Sequence, residues 1–387
     1  MALSRAYSFS GTHHAVFSWS GCTLEVQGQT GHSYIASETP MASYLQVHGE
    51  LDTRRHAAHA SGADGPRVLV CGPVDTGKSS LCRILANYLV RSGHMGTLVD
   101  FDLEAGDLLV PGTVCAVPLM KPLDIERGTE DLNPLAYWLG HASAAEHLVH
   151  LKSLVTSLSQ DVRRRHEADL DARAGGLIIS TSGWVDGAGY ELLTQQATEL
   201  RADVLVVIGD DRLHSQLLSF ASTSNQRPSV LKLSKSGGVI TRSAGSRRVA
   251  QSGRMSEYLY GAHRELYPHS IVIDFTALRV FSINVAPQAP SSALPIGMKV
   301  PDNQLASQQL PPKLYPSLMH TVLARVHAES VSLSCDDLLR ANAVGFVWVS
   351  AVDLDKQKMT LLTPAPLALP SLTLIGGTLR WAPETGR

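Results

Sequence analysis

The segment Gly72-Pro73-Val74-Asp75-Thr76-Gly77-Lys78-Ser79 fits the pattern G-x-x-x-x-G-K-[ST], with a second hydroxyl at Ser80. Residues of these types at this spacing hold a polyphosphate. Gly72 and Gly77 let the backbone turn sharply, so that N–H groups of the loop through Asp75 and Thr76 converge on phosphate oxygens. Lys78 brings a charge to the β/γ oxygens, and the Ser79 hydroxyl is the expected ligand of a Mg²⁺ ion accompanying ATP.

Phosphoryl chemistry at such a loop needs a further carboxylate beside the metal, at the end of a neighbouring strand. Asp102 stands there. It closes the apolar stretch Leu98-Val99-Asp100-Phe101 and precedes a turn at Gly106, with Asp100 two residues earlier on the same side of the strand. Two compatible roles are open to Asp102, holding Mg²⁺ through water and accepting the proton of an attacking hydroxyl. The plain alternative is that it only caps the segment that follows.

A third source of chemistry is positive charge. From Arg227 to Ser256 there are seven basic residues, Arg227, Lys232, Lys235, Arg242, Arg247, Arg248 and Arg254, and no Asp or Glu. On charge alone this is a solvated surface run. Placed after a phosphate-loop fold, it also has the makeup of a lid.

These groups need elements to position them. Arg67-Val68-Leu69-Val70-Cys71 reads as a short buried strand, and Leu81, Ile84, Leu85, Tyr88 and Leu89 recur at helical spacing up to Gly93. The near-continuous apolar runs 97–101, 176–180 and 204–208 are the mark of parallel strands covered on both faces. The fold class is therefore α/β, a P-loop doubly wound parallel sheet. At 387 residues the chain is long for one core. An N-terminal β unit is expected over 1–52, a linker over 53–66, the P-loop domain over 67–262 with its basic lid at 227–256, and a small β-rich C-terminal domain over 270–387. The stretches Pro287–Pro301 and Asn303–Pro312 read as loop.

Composition is that of an ordinary globular protein, 44% apolar and 18% charged, with net charge −2. No apolar run approaches the roughly 20 residues of a membrane span, and the start Met1-Ala2-Leu3-Ser4-Arg5 lacks a signal-peptide core. An intracellular protein with no membrane partner is expected. Five cysteines, without a CxxC pair, suggest neither disulfides nor zinc. Of sixteen histidines, His13-His14 and His56 with His59 stand without clustered partner ligands, so no metal site is expected on them.

The wording of several segments is more specific. The phosphate loop, Val110-Pro111-Gly112-Thr113, Ser182-Gly183-Trp184-Val185-Asp186-Gly187-Ala188-Gly189-Tyr190, Lys235-Ser236-Gly237-Gly238-Val239, Glu257-Tyr258-Leu259-Tyr260-Gly261 and Leu362-Thr363-Pro364-Ala365-Pro366 closely resemble the Clp-type polynucleotide 5′-hydroxyl kinase family, which includes a subunit of pre-mRNA cleavage factor II. Ala15-Val16-Phe17-Ser18-Trp19, Leu294-Pro295-Ile296-Gly297-Met298 and Asp302-Asn303-Gln304-Leu305 extend the resemblance over nearly the whole chain.

The resemblance implies a kinase that moves the ATP γ-phosphate to the 5′-hydroxyl end of RNA, in the nucleus, within the mRNA cleavage and polyadenylation machinery. Its implied partners are the other cleavage factor II subunit and the tRNA-splicing endonuclease. It implies catalytic roles for Lys78, Ser79, Asp102, Arg242 and Arg247. It sets Trp184 and Arg248 toward RNA, where a stacking aromatic suits any base. Without the resemblance, Trp184 reads equally as core. His14 stands where relatives carry a lysine beside the base.

Two departures accompany it. Ala105 occupies a position where relatives usually have glutamine, and the chain begins part-way into the family's N-terminal domain. Retention of the charged residues points to an enzyme, whereas Ala105 points to an ATP-locked scaffold that docks a partner without turnover. A GTPase is disfavoured because no N/T-K-x-D motif follows Val204–Ile208.

Overall fold

The computed structural model describes residues 14–126, 128, 132–285, 305–327, 335–367 and 372–383. Residues 1–13 and the expected loop Pro287–Pro301 lie outside the described residues.

The first regular element is a helix, α1 (Met41–Ser61), where the sequence reading has the end of a β unit and most of a linker. Met41, Tyr44, Val47, Leu51, Arg55 and Ala58 are its buried residues. Steps of three, four and seven turn them all to one side of a helix, which a strand would not do. Gly62, at φ 65°, ends it. Val16, Phe17, Trp19, Leu24 and Val26 alternate as expected, yet they are exposed, and residues 14–40 contain no strand. Alternation makes a strand only where a neighbour takes up the backbone hydrogen bonds.

The parallel-sheet part begins with β1 (Arg67–Cys71), and the phosphate loop links it to α2 (Lys78–Arg91). Then come β2 (Gly96–Asp100), β3 (Thr113–Leu119), β4 (Leu135–Trp138), α3 (Leu148–Ala168), α4 (Leu170–Gly175) and β5 (Leu177–Ser180). After them follow α5 (Ala188–Glu199), β6 (Val204–Ile208), α6 (Asp211–Thr223), β7 (Ser229–Leu233) and α7 (Ala244–Tyr260). Strand β1 lies between β5 and β6 and parallel to both, with Val68 opposite Ile178 and Val204. β2 extends the parallel sheet beyond β5 and β7 beyond β6, while β3 and β4 add antiparallel strands beside β2. Tyr44, Leu51, Leu81, Leu85 and Leu89 cover one face, and Leu154, Leu158, Leu192 and Leu213 cover the other. Such two-sided cover is why these strands carry unbroken apolar runs.

The last third is β-rich, as expected: β8 (His269–Asp274), β9 (Leu278–Val285), β10 (Leu305–Gln309), β11 (Val322–Val326), β12 (Asn342–Asp353), β13 (Lys358–Thr363) and β14 (Leu372–Gly376). Strand β10 falls inside the expected loop Asn303–Pro312. Antiparallel pairing with β9, Leu305 opposite Val285, makes it a strand. The part has its own core of Ile273, Phe275, Tyr315, Val349 and Leu361. It is nevertheless not a separate sheet, because β12 pairs with β4 through Asn342–Tyr137 and Ala343–Ala136. No described helix is long and apolar enough to cross a membrane.

The carboxyl ends of β1, β2, β5 and β7 lead respectively into the phosphate loop, the Asp102 turn, the Trp184 loop and the lid. In a doubly wound sheet that edge is where ligands bind.

Candidate functional site: a phosphate loop under an arginine lid

The phosphate loop is fixed by close backbone approach. At Gly72, φ 151°, an added Cβ would lie 2.6 Å from the Ile208 carbonyl oxygen, so only glycine lets the loop leave the sheet there. Asp75 takes φ 57° and Gly77 φ 92°, the left-handed conformations that turn the chain into α2. Thr76 Oγ1 and Lys78 Nζ both donate to the Pro73 carbonyl, at 2.9 and 2.8 Å. The first bond braces the loop; the second keeps the Lys78 ammonium folded over it. Burial lowers the pKa of Lys78, while the Asp102 carboxylate opposes that shift.

The lid closes on Asp75. Its carboxylate accepts from the backbone N of Arg242 at 2.9 Å, from Arg242 Nε at 3.2 Å and from an Arg247 guanidinium nitrogen at 2.6 Å. Burial works against the Asp75 charge, but the Arg242 bonds and the Arg247 charge outweigh it and hold the carboxyl below its usual range. Val239 touches the loop as well, since its Cγ2 is 2.9 Å from where a Cβ on Gly77 would stand. The lid helix α7 starts at Ser243, whose hydroxyl caps Ser246 N at 3.1 Å. Its far end is anchored by buried Met255 and Leu259, and Tyr258 Oη accepts from Phe346 N at 2.8 Å. One end of the lid thus grips the sheet while the other reaches the phosphates' position.

Three carboxylates stand behind Lys78 and Ser79. Asp100 is fully enclosed, its pKa raised well above the usual range by burial, Asp102 and Asp107. Asp102 Oδ1 accepts from Glu104 N at 3.2 Å and Ala105 N at 3.3 Å. The plain capping role is therefore real. Asp102 also faces Lys78, and burial together with Asp107 raises its pKa against the lysine's pull. Asp107 goes the other way: burial opposes its charge, yet Arg83, Arg254 and a hydrogen bond from Ser79 lower its pKa. Arg83 lies at 3.3 Å and Arg254, from the lid helix, at 3.8 Å. Two neighbouring carboxyls pushed apart in this way suit one for taking a proton and the other for staying charged. The sequence reading missed Asp107; its only signal is its place in the turn between Gly106 and Pro111.

Trp184 is brought to the site. In its loop Gly183 packs on the phosphate loop, an added Cβ falling 2.8 Å from Val74 N, and Gly189 makes room for the indole, with a Cβ there 2.5 Å from Trp184 Cγ. The ring is half-buried. Arg248 is exposed, next to Arg247 in the first turn of α7, and Ser80 is exposed at the start of α2. His14 is exposed too. The segment it opens lies over the lid loop, where Tyr34 Oη donates to the Gly237 carbonyl at 3.0 Å. Lys78, Ser79, Asp75, Asp102, Arg242 and Arg247 therefore form one group, Trp184 borders it, and His14 and Arg248 lie at its margin.

Comparison with known proteins gives the family. The family model for the mRNA cleavage and polyadenylation factor CLP1 P-loop matches residues 72–261. The pre-mRNA cleavage complex II protein Clp1 model matches 266–383, and that for an N-terminal β-sandwich domain of polyadenylation factor matches 1–58. A CLP1 homologue of Arabidopsis thaliana is 39% identical over 374 residues, 95% of this chain and 83% of the relative. The polyribonucleotide 5′-hydroxyl-kinase Clp1 of Xenopus laevis is 36% identical over 377 residues, 96% of this chain and 83% of the relative. Among solved structures, wild-type Clp1p in complex with Pcf11p superposes with TM-score 0.74, covering 88% of this chain and 79% of that one at 22% identity. Another, showing the extended interface between Pcf11p and Clp1p, gives TM-score 0.74 at 21% identity over 88% of this chain and 80% of that one.

Proposed function

The chain belongs to the Clp1 family, and from that premise we propose that it is an ATP-dependent polyribonucleotide 5′-hydroxyl kinase of the nuclear pre-mRNA 3′-end cleavage machinery. The observation that carries this reading is the joint attachment of Arg242 and Arg247 to Asp75 of the phosphate loop. Phosphoryl transfer is mostly positioning and charge neutralisation, and this contact sets two guanidinium groups over the phosphate cradle.

In this reading Lys78 leaves the Pro73 carbonyl for the β/γ oxygens of ATP. Arg242 and Arg247 exchange Asp75 for the γ-phosphoryl oxygens, where their fixed geometry suits developing charge. Asp102, facing Lys78 beside the phosphate loop, accepts the proton of the RNA 5′-hydroxyl. Trp184 stacks on the terminal base and Arg248 meets the RNA backbone. Oxygen donors suit a hard dication, and Ser79 and Asp102 would hold Mg²⁺ with Asp107 bonded to the Ser79 hydroxyl. That ion would offset negative charge on the phosphates. The vertebrate relative's kinase name supports the reaction. The Pcf11p complexes support a cleavage factor II partner. The tRNA-splicing endonuclease is proposed as a second partner on the family resemblance alone.

A scaffold reading has one observation of its own. Asp102 Oδ1 is already occupied by the turn it caps, and Ala105 adds no polar side chain there. The deciding experiment incubates the full chain with γ-labelled ATP, Mg²⁺ and a 5′-hydroxyl RNA. Label should move to the RNA with wild-type protein and not with Lys78→Ala. Protein that binds both ligands but transfers no label at any concentration leaves the scaffold.

A further inference from the structure

A second cluster lies at the opposite end of α2, about 20 Å along the helix from Lys78 at 1.5 Å per residue. Asp52 and His56 are four residues apart on α1 and so share a face. His94 follows the turn at Gly93, φ 85°, that ends α2. The sequence reading set His56 aside for lack of partner ligands; the fold supplies them. His94 Nε2 is 3.1 Å from Asp52 Oδ1, His56 Nε2 is 3.5 Å from Asp52 Oδ2, and one donor atom from each residue lies within 4.8 Å of the others.

We propose that Asp52, His56 and His94 bind a zinc ion that ties α1 to the end of α2. In a tetrahedral zinc site with bonds near 2.0–2.1 Å, donor atoms stand about 3.3 Å apart. The His94 Nε2 to Asp52 Oδ1 separation already matches that figure. His56, now 3.5 Å from the other Asp52 oxygen and 67% exposed in its side chain, can rotate to complete the set. Two imidazoles with one carboxylate favour zinc over magnesium or calcium, which select oxygen donors.

The surroundings also fit. His94 is 4% exposed, so its ring is held in place by the packing between α1 and the end of α2. The His59 ring stacks on His94 with centroids 5.3 Å apart, and His59 Nδ1 lies 3.8 Å from Asp171 Oδ1, which orients the pair from outside the ligand set. A water would complete the coordination from the side of the exposed His56 ring. Arg55 opposes a dication, since its buried charge acts on His94. The affinity is accordingly that of an open three-ligand site, micromolar rather than that of a closed structural finger.

The test titrates metal-free full-length protein with zinc chloride alone, by calorimetry and by thermal melting, with removal of any purification tag. Wild type should bind one zinc ion and melt at a higher temperature with it. His56→Ala, an exposed change that leaves the fold intact, should lose more than the roughly 100-fold that an outer-sphere partner is worth. Asp52→Asn should behave alike, and neither variant should gain thermal stability from zinc. A wild-type protein without a saturable zinc site, or His56→Ala and Asp52→Asn proteins binding zinc as wild type does, would overturn the assignment.

Discussion

Arg247 of the lid donates to Asp75 of the phosphate loop at 2.6 Å, across 172 positions of sequence. With the two Arg242 bonds, this contact holds the lid shut through one carboxylate that is 6% exposed. Because its folded pKa is depressed, the contribution is fully present above the ordinary carboxyl range and is lost only as pH falls through the lower folded value.

At neutral pH, Asp75→Asn should therefore loosen the lid. A hydrogen bond to a charged group is worth about 1.5–3 kcal/mol, but both arginines are partly exposed, so the low end applies. Amide exchange over residues 236–247 should rise about tenfold in the absence of nucleotide, and less in its presence, when phosphate oxygens take the guanidinium groups. Unchanged exchange would mean that packing of α7, not Asp75, shuts the lid.

Nucleotide affinity should depend on the loop and not on the margin. Lys78 is buried with its ammonium over the cradle, whereas His14 is exposed. Lys78→Ala should weaken Mg-ATP binding on the order of 100-fold, as expected for a charge-assisted phosphate contact, and His14→Ala by far less. Calorimetric titration of both proteins checks this; a greater loss in the His14 variant refutes the picture of the base site.

Asp107, the carboxylate kept charged by Arg83, Arg254 and Ser79, should govern the metal requirement. Asp107→Asn leaves the side-chain shape and removes the charge. The Mg²⁺ concentration for half-maximal transfer should rise on the order of tenfold, the scale of a lost partner outside the metal's own ligands. An unaltered magnesium dependence would reduce Asp107 to an anchor for the lid helix.

What the sequence made legible is what local pattern carries. The phosphate loop, its strand and helix, and the apolar runs of β2, β5 and β6 are continuous in the chain, and their positions follow. Asp107 and the Asp52–His94 pair were not legible, because their partners come from other elements: Arg254 from the lid, His94 from the turn after α2. The α1 error has a similar cause. Its polar face, with His48, Glu50 and Arg54, hides the buried positions Tyr44, Val47, Leu51 and Ala58 unless they are counted at helical steps.

The fold also stores an acid sensitivity. His166 is buried on α3 with Nε2 3.1 Å from Thr97 Oγ1, and burial, with Arg67 nearby, lowers its pKa to about 4. The folded pKa is depressed below 6.5, so its contribution is present above that value and is lost as pH falls toward about 4. The loss is up to about 3 kcal/mol. His166→Gln should flatten the fall in denaturant midpoint between those pH values. An equally steep fall in the variant would assign the sensitivity to other histidines.

Ala105 offers the sharpest separation of enzyme from scaffold. Its backbone N–H already bonds Asp102 at 3.3 Å, and Gln251 of the lid helix donates to the neighbouring Glu104 carbonyl at 3.0 Å, so a longer side chain at 105 begins within the turn that carries Asp102. The family resemblance implies a glutamine there. If the chain is a kinase slowed by one missing polar contact, Ala105→Gln should raise the rate of γ-phosphate transfer on the order of 10-fold to 1000-fold, the value of one positioned transition-state hydrogen bond. ATP affinity should hardly change, because Lys78 and the loop amides supply it. Single-turnover assays on both proteins separate the two quantities. A variant that transfers no faster than wild type would show that Ala105 is not what limits this site, and would leave the lid's grip on Asp75 as the step to be overcome.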